Sequence, residues 1–230
     1  MKYNLIVLIV SSHELPVYNK FKQISNFYYS LYPNKIKHFY LEMREDINED
    51  IIETENHIYV KGKEDFIPSM YMKFIKAINY VNKKYDYDFL FRPNLSTFCN
   101  MNNLLNFIEE IPKQNFAGGY VLPWGVISGT GIIISKDVSY TLLRDIVTNS
   151  VDNDDNQITE VIRRNNIPIY DLRNYGYKYE YLIDNSYDEN YTFDKDNTLL
   201  FRIKNDQNRE EYDIKYMKLL SKQIYNIQIN

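Results

Sequence analysis

The sequence predicts an α/β fold, a mostly parallel mixed sheet flanked by helices. Three observations predict it. The continuous apolar run from Leu5 to Val10 has the composition of a strand covered on both faces. Helix-period patterns alternate with short β-rich runs along the chain. No repeat and no Gly/Ser/Pro linker divides the 230 residues, so residues 1–230 read as a single domain with one full core.

Leu5–Val10 reads as the first strand, followed by a polar loop from Ser11 to Pro16 and a helix over Val17–Tyr32. His38–Glu42 and His57–Val60 read as strands. Pro68 and Ser69 open a helix whose Met70, Phe74, Ala77, Ile78 and Val81 share one face. Asp88–Phe91 is a predicted strand that runs out into Arg92-Pro93-Asn94-Leu95-Ser96, and Asn102–Ile111 a short helix ended by Pro112. Ile127 and Ile132–Ser135 read as strand material broken by a Ser-Gly-Thr-Gly turn at 128–131. Asp137–Val147 and Asp155–Asn165 read as helices and Ile167–Tyr170 as a strand. Residues 171–198, rich in Tyr and Asp without clear periodicity, read as an irregular excursion. Leu199–Lys204 is a predicted strand, and Asn208–Tyr225 a predicted amphipathic helix. Ligands of such sheets bind beyond the carboxyl ends of strands, which singles out the loops at 11–16, 92–98 and 128–131.

Composition excludes several classes. An apolar fraction of 44% and a charged fraction of 25% are those of a soluble globular chain. With 27 basic against 31 acidic residues there is no basic excess for a general nucleic-acid binder. Cys99 is the only cysteine, so no intramolecular disulfide forms and a reducing, cytoplasmic compartment is expected, a host cytoplasm if a virus encodes the chain. The apolar run at Leu5–Val10 is too short to cross a bilayer and lacks a small-residue cleavage site, so no transmembrane segment or signal peptide is expected. His13, His38 and His57 lack zinc-ligand spacing. No Gly-x-Gly-x-x-Gly, P-loop or Gly-x-Ser-x-Gly string follows a strand, which disfavours dinucleotide oxidoreductases, P-loop kinases and serine hydrolases.

Three stretches in order carry a family resemblance: KFIKAINYVNKKYDYDFLFRPNLSTF, PWGVISGTGIIISKDV and DDNQITEVIRRNNI. Together they resemble the beta-1,3-glycosyltransferases of the Fringe and galactosyltransferase type, glycosyltransferase family 31. They are similar as well to the GT-A glycosyltransferases encoded by large DNA viruses. The likeness spans about residues 57 to 170. It implies a GT-A fold and an inverting transfer from a nucleotide-sugar, a UDP-sugar by expectation, to a hydroxyl of a glycan or glycoprotein. Over the family's acidic metal motif, Arg92 falls on a Lys, Asn94, Leu95 and Ser96 on three Asp, and Phe98 on a Phe.

The implied chemistry needs a base, a grip on the nucleotide and positive charge for the departing diphosphate. The resemblance places the base at Asp155, with Asp154 in the position of a Glu. A carboxylate at a helix start lies beside the helix's positive end, which favours its proton-accepting form, yet Asp152 to Asn156 would serve equally as a helix cap. Ser11, Ser12, Tyr18, Lys73, Arg92, Asn94 and Ser96 are the candidate nucleotide-sugar ligands, although polar loop residues and a helical Lys are common without such a role. Asn94 and Ser96 are neutral donors and hold Mg²⁺ or Mn²⁺ weakly, so a metal is in doubt. Arg202 and Lys204 point to one side of the last strand and are candidates for the phosphates, or ordinary charges on an edge strand. Trp124 is either a sugar-stacking residue or a core anchor. Ser128, Gly129 and Thr130 belong to the sugar side, or Gly129 and Gly131 simply shape a turn or bulge. The competing readings are a non-catalytic nucleotide-sugar or glycan-binding module and a purely structural α/β protein.

Overall fold

A computed structural model describes residues 2–147 and 152–229. The strands are β1 (Lys2–Val10), β2 (Ile36–Arg44), β3 (Ile51–Glu53), β4 (His57–Lys61), β5 (Asp86–Pro93), β6 (Thr97–Cys99), β7 (Ala117–Val121), β8 (Ile127–Ser135), β9 (Ile169–Asp171), β10 (Lys178–Leu182) and β11 (Thr198–Ile203). The helices are α1 (Pro16–Tyr29), α2 (Ser69–Lys84), α3 (Met101–Glu110), α4 (Lys136–Arg144), α5 (Asp154–Arg164) and α6 (Ile214–Tyr225). Eight strands form one sheet in the order β3-β4-β2-β1-β5-β8-β7-β9, and β10-β11-β6 form a second. β4, β2, β1 and β5 run parallel, whereas β5-β8 and β8-β7 are antiparallel.

The apolar run at Leu5–Val10 is double-faced. Leu5, Val7 and Ile9 join a core with residues of α1, α3, α6 and the small sheet. Ile6 and Leu8 join a second core with residues of α2, α4 and α5. This alternation is why the strand is apolar throughout instead of every second residue.

The Ser-Gly-Thr-Gly segment is no turn. It lies inside the continuous strand β8, all nine residues of which are buried. Its glycines answer to packing: a Cβ on Gly131 would sit 2.7 Å from Leu200 and from Phe91, and one on Gly119 of β7 only 2.4 Å from the Gly131 carbonyl oxygen. Those small residues hide both strands from a propensity reading. The stretch 171–198 is likewise not wholly irregular, because it contains a 3₁₀ turn at Leu172–Tyr175 and strand β10. The last predicted helix begins with a wide turn over Arg209–Asp213 before α6. There the fully buried Asp213 carboxylate takes the Asn205 backbone and side-chain N–H groups and the Arg209 guanidinium. Among the described residues, no helix is long and apolar enough to cross a membrane.

Candidate functional site

β1 and β5 end side by side. Val10 bridges to Asn94, and the Leu95 N–H donates to the Val10 carbonyl at 3.1 Å. The loops after the two strands therefore face one cleft of about 230 Å³ at the carboxyl edge of the sheet. Ser11, Ser12 and Tyr18 line one side, Asn94 and Ser96 the floor, Glu64, Asp65 and Lys73 a second wall. Arg202, Lys204 and Arg209 close it from the small sheet and the segment beyond. Six of the sequence-predicted ligands thus meet in one place with the two predicted phosphate cations.

Lys73 is not solvent-facing. It is fully buried, with its ammonium on the Ser11 carbonyl oxygen at 2.6 Å and on the Glu64 carboxylate at 2.5 Å. Burial pushes its pKa down, and the Glu64 charge opposes that shift. The Ser11 hydroxyl turns away to Glu42, which also holds Lys22 at 2.6 Å. These groups brace the loop after β1; the cleft's free polar capacity lies elsewhere.

It lies with the cations. Arg202 donates to the Ser96 hydroxyl at 2.5 Å, and among the described residues neither Arg202 nor Lys204 forms an ion pair. Burial lowers the Arg202 pKa, and the neighbouring Arg209 and Arg92 charges lower it further. A desolvated guanidinium among other cations, hydrogen-bonded to a neutral hydroxyl, is a site that an anion completes. Arg209 is held by Asp213 at 3.0 Å and lies over the Tyr18 ring, 5.6 Å from its centroid. Arg209 is not among the sequence-predicted ligands, because nothing local tells that a residue beyond the strand folds back to the first loop.

The residues at the position of the acidic metal motif are poor ligands for a divalent metal. Asn94 and Ser96 carry no charge, and Ser96 already accepts from Arg202. The Glu64 carboxylate is neutralised by Lys73. Among the described residues no group of three His, Cys, Asp or Glu could hold an ion.

Beneath the cleft lies a second layer. Arg92, predicted as a nucleotide-sugar ligand, is buried and does not line the cleft. Its guanidinium donates to the Gly129 carbonyl at 2.5 Å and to the buried Asp154 carboxylate, while Nε has no partner. Burial raises the Asp154 pKa; the Arg92 charge counters it and the Asp155 charge adds to it. Asp154, placed on the sugar side by the sequence, is therefore inside the protein. Asp155, one residue on at the start of α5, is half-buried. Its Oδ2 accepts the Gly129 N–H and its Oδ1 the Asn156 N–H, both at 3.0 Å. Each oxygen keeps a lone pair for another proton. A Cβ on Gly129 would lie 2.9 Å from the Arg92 guanidinium, 3.2 Å from Asp155 Oδ2 and 3.5 Å from the Asn94 amide. The missing side chain is thus what lets Arg92, Asn94 and Asp155 converge. Asn94 lines the cleft, whereas Asp155 does not and lies across Gly129 from it.

Other sequence-predicted residues lie apart. Ser128 and Thr130 are buried; their hydroxyls are 3.1 Å apart, and Thr130 reaches the Tyr179 hydroxyl at 2.7 Å. Trp124 is no core anchor: it is 67% exposed in the loop between β7 and β8, and it does not line the cleft.

No protein-family model matches the chain, and no curated protein sequence matches it. Among solved structures, the chain is similar to a glycosyltransferase involved in the glycosylation of the major capsid of PBCV-1. The identity is 15% and the TM-score 0.50, over 90% of this chain and 98% of that one. At such identity the likeness concerns the fold, and the fold is GT-A-like.

Proposed function

We propose that the chain is a single-domain inverting glycosyltransferase that moves a sugar from a nucleotide-sugar, a UDP-sugar in the first instance, to a hydroxyl of a glycan or glycoprotein. The observation that carries this reading is the cation cluster at the carboxyl edge of a GT-A-like sheet, in which Arg202 and Lys204 have no ion-pair partner among the described residues, with Asp155 across Gly129 from the cleft residue Asn94. Arg202, Lys204 and Arg209 would hold the diphosphate, and the polar loop from Ser11 with Tyr18 would meet the nucleoside. Asp155 would take the acceptor proton as the acceptor oxygen bonds to the anomeric carbon. The bond from that carbon to the diphosphate oxygen breaks in the same displacement, and the cations stabilise the charge that appears there. Arg92 and Asp154 act through position, by fixing Gly129 and the start of α5.

A non-catalytic nucleotide-sugar module is the second reading, favoured by the neutral Asn94 and Ser96 and by the two backbone N–H groups already on Asp155. Donor hydrolysis without acceptor, assayed over a panel of UDP-sugars, separates the two. Release of UDP that Asp155→Asn slows supports the enzyme. Tight UDP binding with no release from any donor leaves only the module.

A further inference from the structure

Strand β10 carries Tyr179 and Tyr181 two residues apart, with Tyr177 just before it. Tyr179 stacks on Tyr120 of β7, ring centroids 4.5 Å apart at 14°, and meets Tyr181 edge-on at 4.5 Å. Arg173 lies over Tyr120, 4.7 Å from the ring centroid, and is fixed there by Asp171 and by the Val121 carbonyl at 2.9 Å. Tyr181, 45% exposed, is the open end of this array.

Two features place the array near the cleft residue Arg202 and near Asp155. In the register of β10 with β11, Tyr181 is paired with Arg202, so both side chains leave the same face of the small sheet. The Tyr179 hydroxyl is bonded to Thr130, the residue after the one whose N–H holds Asp155. Burial raises the Tyr179 pKa, which keeps this hydroxyl neutral and hydrogen-bonding at physiological pH.

A rigid aromatic array of this kind offers a flat apolar surface edged by hydroxyls and a guanidinium. That suits the apolar C–H face and equatorial hydroxyls of a pyranose better than a charged or aliphatic ligand. The rings lose little freedom on binding, since stacking and the Arg173 contacts already hold them. We propose that Tyr181, backed by Tyr179 and Tyr120, is the platform on which the acceptor sugar stacks beside the donor phosphates. The acceptor role rests on the transferase reading above; the sugar-binding surface does not.

Saturation-transfer-difference NMR tests it with the methyl glycosides of glucose, galactose, mannose, N-acetylglucosamine, rhamnose and xylose. The wild-type chain is expected to saturate the ring C–H protons of at least one of them. Tyr181→Ala should lose at least fivefold of that signal, and Tyr181→Phe should keep it. UDP binding and thermal unfolding of both variants should match wild type, which shows that the fold and the donor cleft are intact. No signal from any glycoside, or equal signals with Tyr181→Ala, overturns the platform. Saturation without UDP binding by wild type supports the platform and removes the transferase reading. Where transfer is measurable, Tyr181→Ala should raise the acceptor KM about tenfold with kcat changed less than threefold; an unchanged KM overturns the acceptor role.

Discussion

Replacing either half of the buried Arg92–Asp154 pair leaves a charge inside the protein with no counter-charge. Both side chains are nearly inaccessible, 1% and 3%, so water cannot take the partner's place. Breaking such a pair costs about 3–5 kcal/mol, a large part of a typical domain's stability. Asp154→Asn keeps an oxygen for the guanidinium but removes the charge, and Arg92 Nε is already unpartnered, so this variant sits at the upper end. Arg92→Met strands a carboxylate that burial already pushes toward its neutral form. A raised folded-state pKa means that the folded state binds the extra proton, so stability falls as pH rises. The Arg92→Met penalty should therefore shrink as pH drops from 7 to 5, whereas the Asp154→Asn penalty should not. The double variant, Arg92→Met with Asp154→Asn, removes both charges and should lose at least about 2 kcal/mol less than the two single losses added together. Urea unfolding followed by circular dichroism measures all three. Additive losses within about 0.5 kcal/mol would refute the pairing and with it the positioning role.

Further outcomes follow from single residues. His38 is buried, its pKa lowered to about 4 by burial first and by Lys37 and His57 next, with Nε2 on Asn26 at 2.8 Å and Tyr29 and Tyr40 against its ring. A lowered histidine means that the unfolded state binds the proton first. Stability should then fall by about 3 kcal/mol between pH 6.5 and 4, and His38→Gln should flatten that part of the profile; parallel profiles would exclude it. Asp155→Asn should slow transfer by about a hundredfold to ten-thousandfold with UDP affinity kept, as expected for a general base, and undiminished transfer would remove Asp155 from the mechanism. Gly129→Ala, whose Cβ would press on Arg92 and Asp155, should cost about 1–3 kcal/mol and lower turnover at least tenfold; a stable, fully active variant would deny the convergence described over Gly129.

Strong periodicity was legible. The Leu5–Val10 run, the helix from Ser69 and the strand before Arg92 all stand where their patterns place them. Weak or unusual composition was not. β7 and β8 carry glycines because neighbouring backbone and side chains leave no room for a Cβ, so their propensity points away from strand. β10 was hidden by its tyrosines, whose alternation is a true period of two. For the site, the rule that ligands bind at strand ends located the loops, but it could not say which polar groups face outward. Arg92 and Asp154 look like ligands in sequence because charge is usually exposed; only their mutual pairing, 62 residues apart, lets both be buried. The same long-range folding brings Arg209 beside Tyr18, a contact across 191 residues that no local pattern encodes.

The central claim is that cations, and not a metal ion, hold the nucleotide diphosphate. Calorimetric titration of UDP into the chain, with manganese and then with excess EDTA, addresses it directly. The dissociation constant should change less than threefold between the two conditions and should rise at least tenfold in Arg202→Gln and in Arg209→Gln, with Lys204→Gln smaller in effect. Binding that EDTA abolishes, with those variants behaving as wild type, would contradict the account.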